Sequence, residues 1–138
     1  MAEEILLKEL LTEEMKSFGA ALTRKLDEHG WPVVASLWTF EPDGNRWTLI
    51  LASPRVSSDG PLEAYGAVAK AVEALKLPMT NLLLTRVVEP KYPLVRAMAS
   101  RIQTGWTIQG IPLSETAING SFVEESYVYR VALESAAA

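Results

Sequence analysis

The clearest periodicity in the chain lies between Pro32 and Pro54, in the stretch PVVASLWTFEPDGNRWTLILASP. Two runs of β-branched and aromatic residues flank Asp43-Gly44. Asp-Gly joins antiparallel strands because the two central positions of the tight hairpin turn take positive φ. The turn predicts a register with Glu41 opposite Arg46, Phe40 opposite Trp47, Thr39 opposite Thr48, Trp38 opposite Leu49 and Leu37 opposite Ile50. The pairs match chemically: an ion pair at the tip, an aromatic pair, two threonines, then apolar pairs. Alternation puts Val34, Ser36, Trp38, Phe40, Trp47, Leu49 and Leu51 on one buried face, with Leu37 and Ile50 on the other.

Before the hairpin the period changes. Leu7, Leu11, Met15, Phe18, Leu22 and Leu26 recur at spacings of four and three, which predicts an amphipathic helix over residues 3–29. Ile5, Leu6 and Leu10 widen its stripe, Thr12 is a candidate N-cap dividing a short arm from a longer helix, and His29-Gly30 is a stop signal. After the hairpin, residues 53–61 have loop composition, and Pro61 opens a helix to about residue 77 that turns Tyr65, Val68, Val72 and Leu75 inward. Residues 81–89 are apolar on both faces, which predicts a strand inside the sheet. A helix over 92–103, an extended segment over 106–112 and a second hairpin turn at Asn119-Gly120 follow. The final strand, 121–133, alternates: Val123, Tyr127, Tyr129, Val131 and Leu133 on one face, Glu124, Ser126, Val128 and Arg130 on the other.

The order α-β-β-α-β-α-(β)-β predicts an α+β fold: a mostly antiparallel sheet of about four or five strands with helices packed on one face. One domain over 1–138 is expected, with 134–138 as a frayed tail. The apolar residues left on the second sheet face ask for a cover, and a second copy of the chain supplies one.

Composition narrows the functional classes. Of the 138 residues 49% are apolar and the net charge is −4, ordinary for a globular domain and unfavourable for general nucleic-acid binding. The chain has no cysteine, which excludes disulfides and thiolate chemistry. The first residues, MAEEILLKELL, are acidic where a secretory signal is basic, and no apolar run has the length of a membrane span, so a cytoplasmic address is expected.

Candidate chemistry is sparse. His29 is the single histidine, at a helix end where an imidazolium suits the dipole. Arg86 and Arg130 each interrupt an apolar strand and must be paired or reach water. A cross-strand partner such as Glu124 or Glu125 answers this; an anion pocket is the functional alternative. Ser57 and Ser58 precede a helix start, where capping competes with anion binding. Tyr127 and Tyr129 share a face, as stacking platforms do, but their apolar neighbours fit a core role. No metal-ligand spacing is visible, and no cofactor is expected.

The combination of PVVASLW, LILASPRVSSDGPLEAY and INGSFVEESYVYR resembles a group of small bacterial proteins of unknown function, over most of the chain after the first helix. The resemblance implies an intact domain and carries no activity, cofactor or catalytic residue. The leading expectation is a non-enzymatic protein-interaction or accessory domain that associates with itself as a homodimer, or else with another protein. The alternative is a small-molecule or anion-binding domain, with catalysis left open, using Arg86, Arg130, Glu124, Ser57 and Ser58. A third reading is binding of RNA or single-stranded DNA through the terminal strand.

Overall fold

The computed structural model describes residues 10–118 and 121–133, with the backbone alone described at 79–81, 114–118 and 121–124. Helix α1 (Glu13–Glu28) begins at Thr12, whose Oγ1 accepts the Met15 N–H at 3.1 Å. It ends with Gly30 at φ 75°. The Gly30 N–H bonds the Asp27 carbonyl and the Trp31 N–H the Leu26 carbonyl, which folds Trp31 back onto Leu26 in the core. Of the short helical arm read before Thr12, residues 3–9 lie outside the described residues, and Leu10 and Leu11 are not helical.

Strands β1 (Ala35–Glu41) and β2 (Arg46–Ala52) pair in the register read from the sequence, from Glu41 opposite Arg46 to Leu37 opposite Ile50. Phe40 and Trp47 meet edge-to-face with centroids 5.5 Å apart. The turn is different in kind. Residues Pro42–Gly44 form a 3-10 turn, and the left-handed residue is Asn45 (φ 48°, ψ 51°), whose N–H returns to the Pro42 carbonyl. Asparagine tolerates this region because its short polar side chain bonds locally.

A short helix α2 (Arg55–Asp59) fills what composition marks as loop, and α3 (Pro61–Ala74) follows. Helix α3 stops short of residue 77 because Lys76 turns left-handed at φ 58°. The Lys76 and Leu77 N–H groups then bond the Glu73 and Val72 carbonyls. After a 3-10 turn over Met79–Leu84 come β3 (Thr85–Val88), α4 (Pro93–Ala99), β4 (Ile111–Ile118) and β5 (Ser121–Val131). The second hairpin turn, Asn119-Gly120, lies outside the described residues.

The strands form one mixed sheet in the order β3-β2-β1-β5-β4, antiparallel except for β3 beside β2. The fold is α+β, as its periodicities predict. Strand β3 is an edge, not an interior strand. It reads as doubly apolar because Val87 packs under α3 while Val88 packs toward α4. Helices α1 and α3 cover one face, with Leu22, Leu26, Val68 and Val72 against Trp38, Leu49 and Leu51. The short α4 lies on the other face, setting Val95 and Met98 against Leu37, Ile50, Val128 and Val131. The face that the sequence leaves for a second copy is therefore covered within one chain, and Val34 joins that side. Among the described residues no helix is long and apolar enough to cross a membrane.

One irregularity sets the phase of β5. Leu37 pairs with Val128 but Ser36 pairs with Arg130, so Tyr129 is an unpaired bulge residue. A bulge shifts the alternation by one. Tyr127, Tyr129 and Arg130 all reach the α1 side, while Val131 and Leu133 move to the α4 side. The uninterrupted alternation read from the sequence is corrected accordingly. Helix α1 meets this surface along one line of residues four apart. Gly19 lies against the Tyr129 ring, Thr23 Oγ1 bonds Ser36 Oγ at 2.7 Å, and Asp27 pairs with Arg130.

The two glycines inside helices separate helix propensity from packing. A Cβ at Gly19 would overlap the Tyr129 ring, whereas one at Gly66 in α3 meets nothing within 4 Å. Gly19→Ala is expected to lower unfolding stability by about 1–3 kcal/mol through overpacking. Gly66→Ala should raise it by about 0.5–1 kcal/mol through helix propensity. Urea unfolding of both variants checks this; a stabilised Gly19→Ala would contradict the close approach of α1.

Candidate functional site

The two arginines singled out in the sequence occupy opposite faces of the sheet. Arg130 lies opposite Ser36 on the α1 side and is 2% exposed. Its Nη1 donates to Asp27 Oδ1 (3.0 Å) and the Val33 carbonyl (2.9 Å), and its Nη2 to Asp27 Oδ2 (2.8 Å) and the Trp106 carbonyl (2.6 Å). The Trp106 ring packs over the guanidinium at 5.1 Å. Its counter-ion is thus Asp27, a partner on α1 that the cross-strand reading did not offer. The fork is bidentate, the geometry that best offsets desolvation of a buried pair. Chemically it is a clamp joining α1, the 104–109 segment and β5.

Arg86 lies opposite Ile50 on the α4 side of β3. Its Nη1 donates to Glu41 Oε2 at 3.1 Å and to the Tyr92 hydroxyl at 3.2 Å, and Thr48 Oγ1 donates to the other Glu41 oxygen at 2.9 Å. The bond to Tyr92, with the Glu41 charge, holds the Arg86 guanidinium above its ordinary pKa against an opposing desolvation cost. Glu41 thus serves Thr48 and Arg86 at the hairpin tip, beyond its register with Arg46.

Ser57 and Ser58 lie exposed in α2, where Ser58 Oγ donates to Asp59 Oδ1 at 3.1 Å. The Glu124 side chain lies outside the described part of β5. Arg86 and Arg130 lie on opposite faces of the sheet, so the structure does not bring these two nominated residues together. His29 caps the exposed C-terminus of α1 and lines, with Arg55, Asp59, Glu63 and Lys70, an open cleft of about 790 Å³.

The tyrosines of β5 are turned into the fold. Tyr129 is 2% exposed; its hydroxyl donates to the Lys16 carbonyl and accepts from Trp38 Nε1 at 3.0 Å. Burial holds that hydroxyl well above the usual phenol range, the Trp38 bond opposing it in part. Tyr127 packs edge-on against Tyr129, with the Lys16 ammonium 5.0 Å from its ring centre. The Tyr129 ring is closed to a stacking base, and the Tyr127 ring is half-buried beside it.

The apolar concavity is elsewhere. A groove of about 620 Å³ runs between the first turns of α1 and the segment after α3, floored by Met15, Phe18, Ala21, Leu77 and Pro78 and edged by Glu13 and Glu14. Leu10, two residues before the groove's first lining residue, is 80% exposed. Sequence reading missed this groove because Leu77-Pro78 looks like a helix stop and Met15 like core. No local signal marked it, because Leu7, Leu11 and Met15 read as one core-facing stripe. Among the described residues no three His, Asp or Glu side chains cluster in ligand geometry.

The two ion pairs should respond unequally to loss of charge. Asp27→Asn leaves Arg130 buried without a counter-ion and is expected to cost about 3 kcal/mol, the lower end for such a pair because the Asp27 side chain keeps 35% of its surface in water. Glu41→Gln touches a pair whose side chains are 30% and 41% exposed and should cost under about 1 kcal/mol. Denaturant midpoints measure both, and equal costs would contradict the buried clamp. No protein-family model, curated protein or solved structure matches the chain, so its function is read from this geometry alone.

Proposed function

We propose that this chain is a non-enzymatic protein-interaction or accessory domain, and that the groove between α1 and the end of α3 takes an apolar peptide segment with basic flanks. The observation that carries the reading is the groove itself: an apolar floor of Met15, Phe18, Ala21, Leu77 and Pro78 beside the acidic Glu13 and Glu14. An amphipathic helix lays one apolar face into such a groove, and methionine adapts to different anchors. Glu13 and Glu14 at the first turn of α1, on a chain of net charge −4, favour lysine or arginine beside those anchors. The charges that sequence reading offered to a ligand support the same view from the other side. Arg130 is committed to Asp27, and Arg86 to Glu41 and Tyr92.

The test is fluorescence anisotropy with a labelled Leu/Lys peptide designed as an amphipathic helix, beside a scrambled peptide of the same composition. The patterned peptide should bind at least about tenfold more tightly than the scrambled one, and Met15→Glu should weaken it by at least about tenfold, a change of about 1.4 kcal/mol. Equal binding of the scrambled peptide would reduce the effect to net charge. Undiminished binding to Met15→Glu would move the site elsewhere. Either result overturns the reading.

A further inference from the structure

We propose that β4 is the pairing edge of a two-fold dimer, in which β4 of one chain adds antiparallel to β4 of a second copy. The two edges of the sheet are built differently. Strand β3 is four residues long, and the outward N–H of Val87 is taken by the Tyr65 hydroxyl of α3 at 3.1 Å. Short length and a covering side chain are how sheet edges are kept from pairing. Strand β4 is eight residues long and ends the sheet among the described residues. Its sequence, IPLSETAI, carries no lysine and one charge, Glu115.

The direction of its backbone groups follows from two independent facts. The Gln109 N–H donates to the Tyr129 carbonyl at 2.7 Å, which turns the odd-numbered positions toward β5. Pro112, opposite Tyr127, has no N–H and fits a strand only where that group would face away from its neighbour. Both place residues 112, 114, 116 and 118 outward. Pro112 therefore blunts one end, while Ser114, Thr116 and Ile118 each offer an N–H and a carbonyl. Centred on Thr116, a two-fold sets Thr116 against its own copy and Ser114 of each chain against Ile118 of the other. Each outward pair exchanges two bonds, giving about six new hydrogen bonds and calling on no donor from Pro112.

The partner is a second copy because this register is self-complementary. Addition of β4 to the β3 edge of another chain would displace Tyr65 and leave free edges that propagate an open filament, whereas a two-fold closes. The contact lies on the sheet edge and is separate from the α1 groove, so it stands or falls independently of peptide binding there.

Light scattering after size exclusion should give twice the mass of one chain, and Thr116→Pro should halve it. That proline deletes only an outward N–H, so the variant should keep its far-UV circular dichroism. Hydrogen exchange of the unmodified protein gives a second readout that needs no variant. The amides of Ser114, Thr116 and Ile118 should exchange at least about tenfold more slowly in the dimer than after dilution to monomer. A single-chain mass with freely exchanging amides at these positions overturns the proposal. So does a dimer that persists in Thr116→Pro, which would place self-association on another surface, or a mass that grows without limit, which would mean head-to-tail addition.

Discussion

How closely α1 can lie on the sheet is set by three of its residues spaced four apart. Gly19 presents no side chain to the Tyr129 ring, Thr23 presents a hydroxyl to Ser36, and Asp27 presents a carboxylate to Arg130. Larger apolar side chains flank this line, with Phe18, Leu22 and Leu26 filling the space over Trp38 and Leu51. The arrangement works only because β5 is bulged at Tyr129. Without the extra residue Arg130 would project toward Val95 and Met98, where an unpaired guanidinium would be buried in an apolar cluster. The bulge and the polar line of α1 are two halves of one constraint.

That constraint is better understood as specificity than as net stability. A buried bidentate pair recovers most of its desolvation cost and little more. The Thr23–Ser36 bond is a modest gain, with Thr23 also bonded to the Gly19 carbonyl at 2.8 Å. What these contacts do is penalise alternatives. A one-residue slip of β5 exchanges every side chain between the two faces. It would strand Arg130, Ser36 and the Tyr129 hydroxyl at once. Most of the favourable free energy comes from the two apolar clusters on either side of the sheet, and the polar line decides which packing they adopt.

The legible parts of this fold were those encoded locally. The β1–β2 register follows from five matched pairs within fourteen residues of chain, and it holds to the residue even though Asn45, not Gly44, takes the left-handed turn position. The helix ends at Thr12 and Gly30 follow from single residues. What was not legible depends on distant partners. Arg86 and Arg130 announce themselves as charges inside apolar strands, but their carboxylates stand 45 and 103 positions away. A bulge leaves no mark on an alternating pattern until a partner strand is known, so the true faces of Val131 and Leu133 were hidden. Strand β3 was misplaced for a related reason: apolar residues on both faces signal cover on both sides, not a neighbour on both edges. The α1–α3 groove joins Met15 to Leu77, a pairing that no local period reveals.

Among the described residues both sheet faces carry the chain's own helices, and the acid-edged groove and the β4 edge are the surfaces proposed to meet a partner. Both depend on α1 sitting where its polar line puts it, since α1 forms one wall of the groove and holds β5 in the phase that aims β4. The most direct test is a set of nuclear Overhauser contacts to the Tyr129 ring in solution. Strong contacts are expected from the ring to the Gly19 Hα protons and to Trp38, and none to Val95 or Met98. Contacts from Tyr129 to Val95 or Met98, with the Gly19 contacts missing, would mean that β5 has slipped by one residue and that the packing described here is wrong.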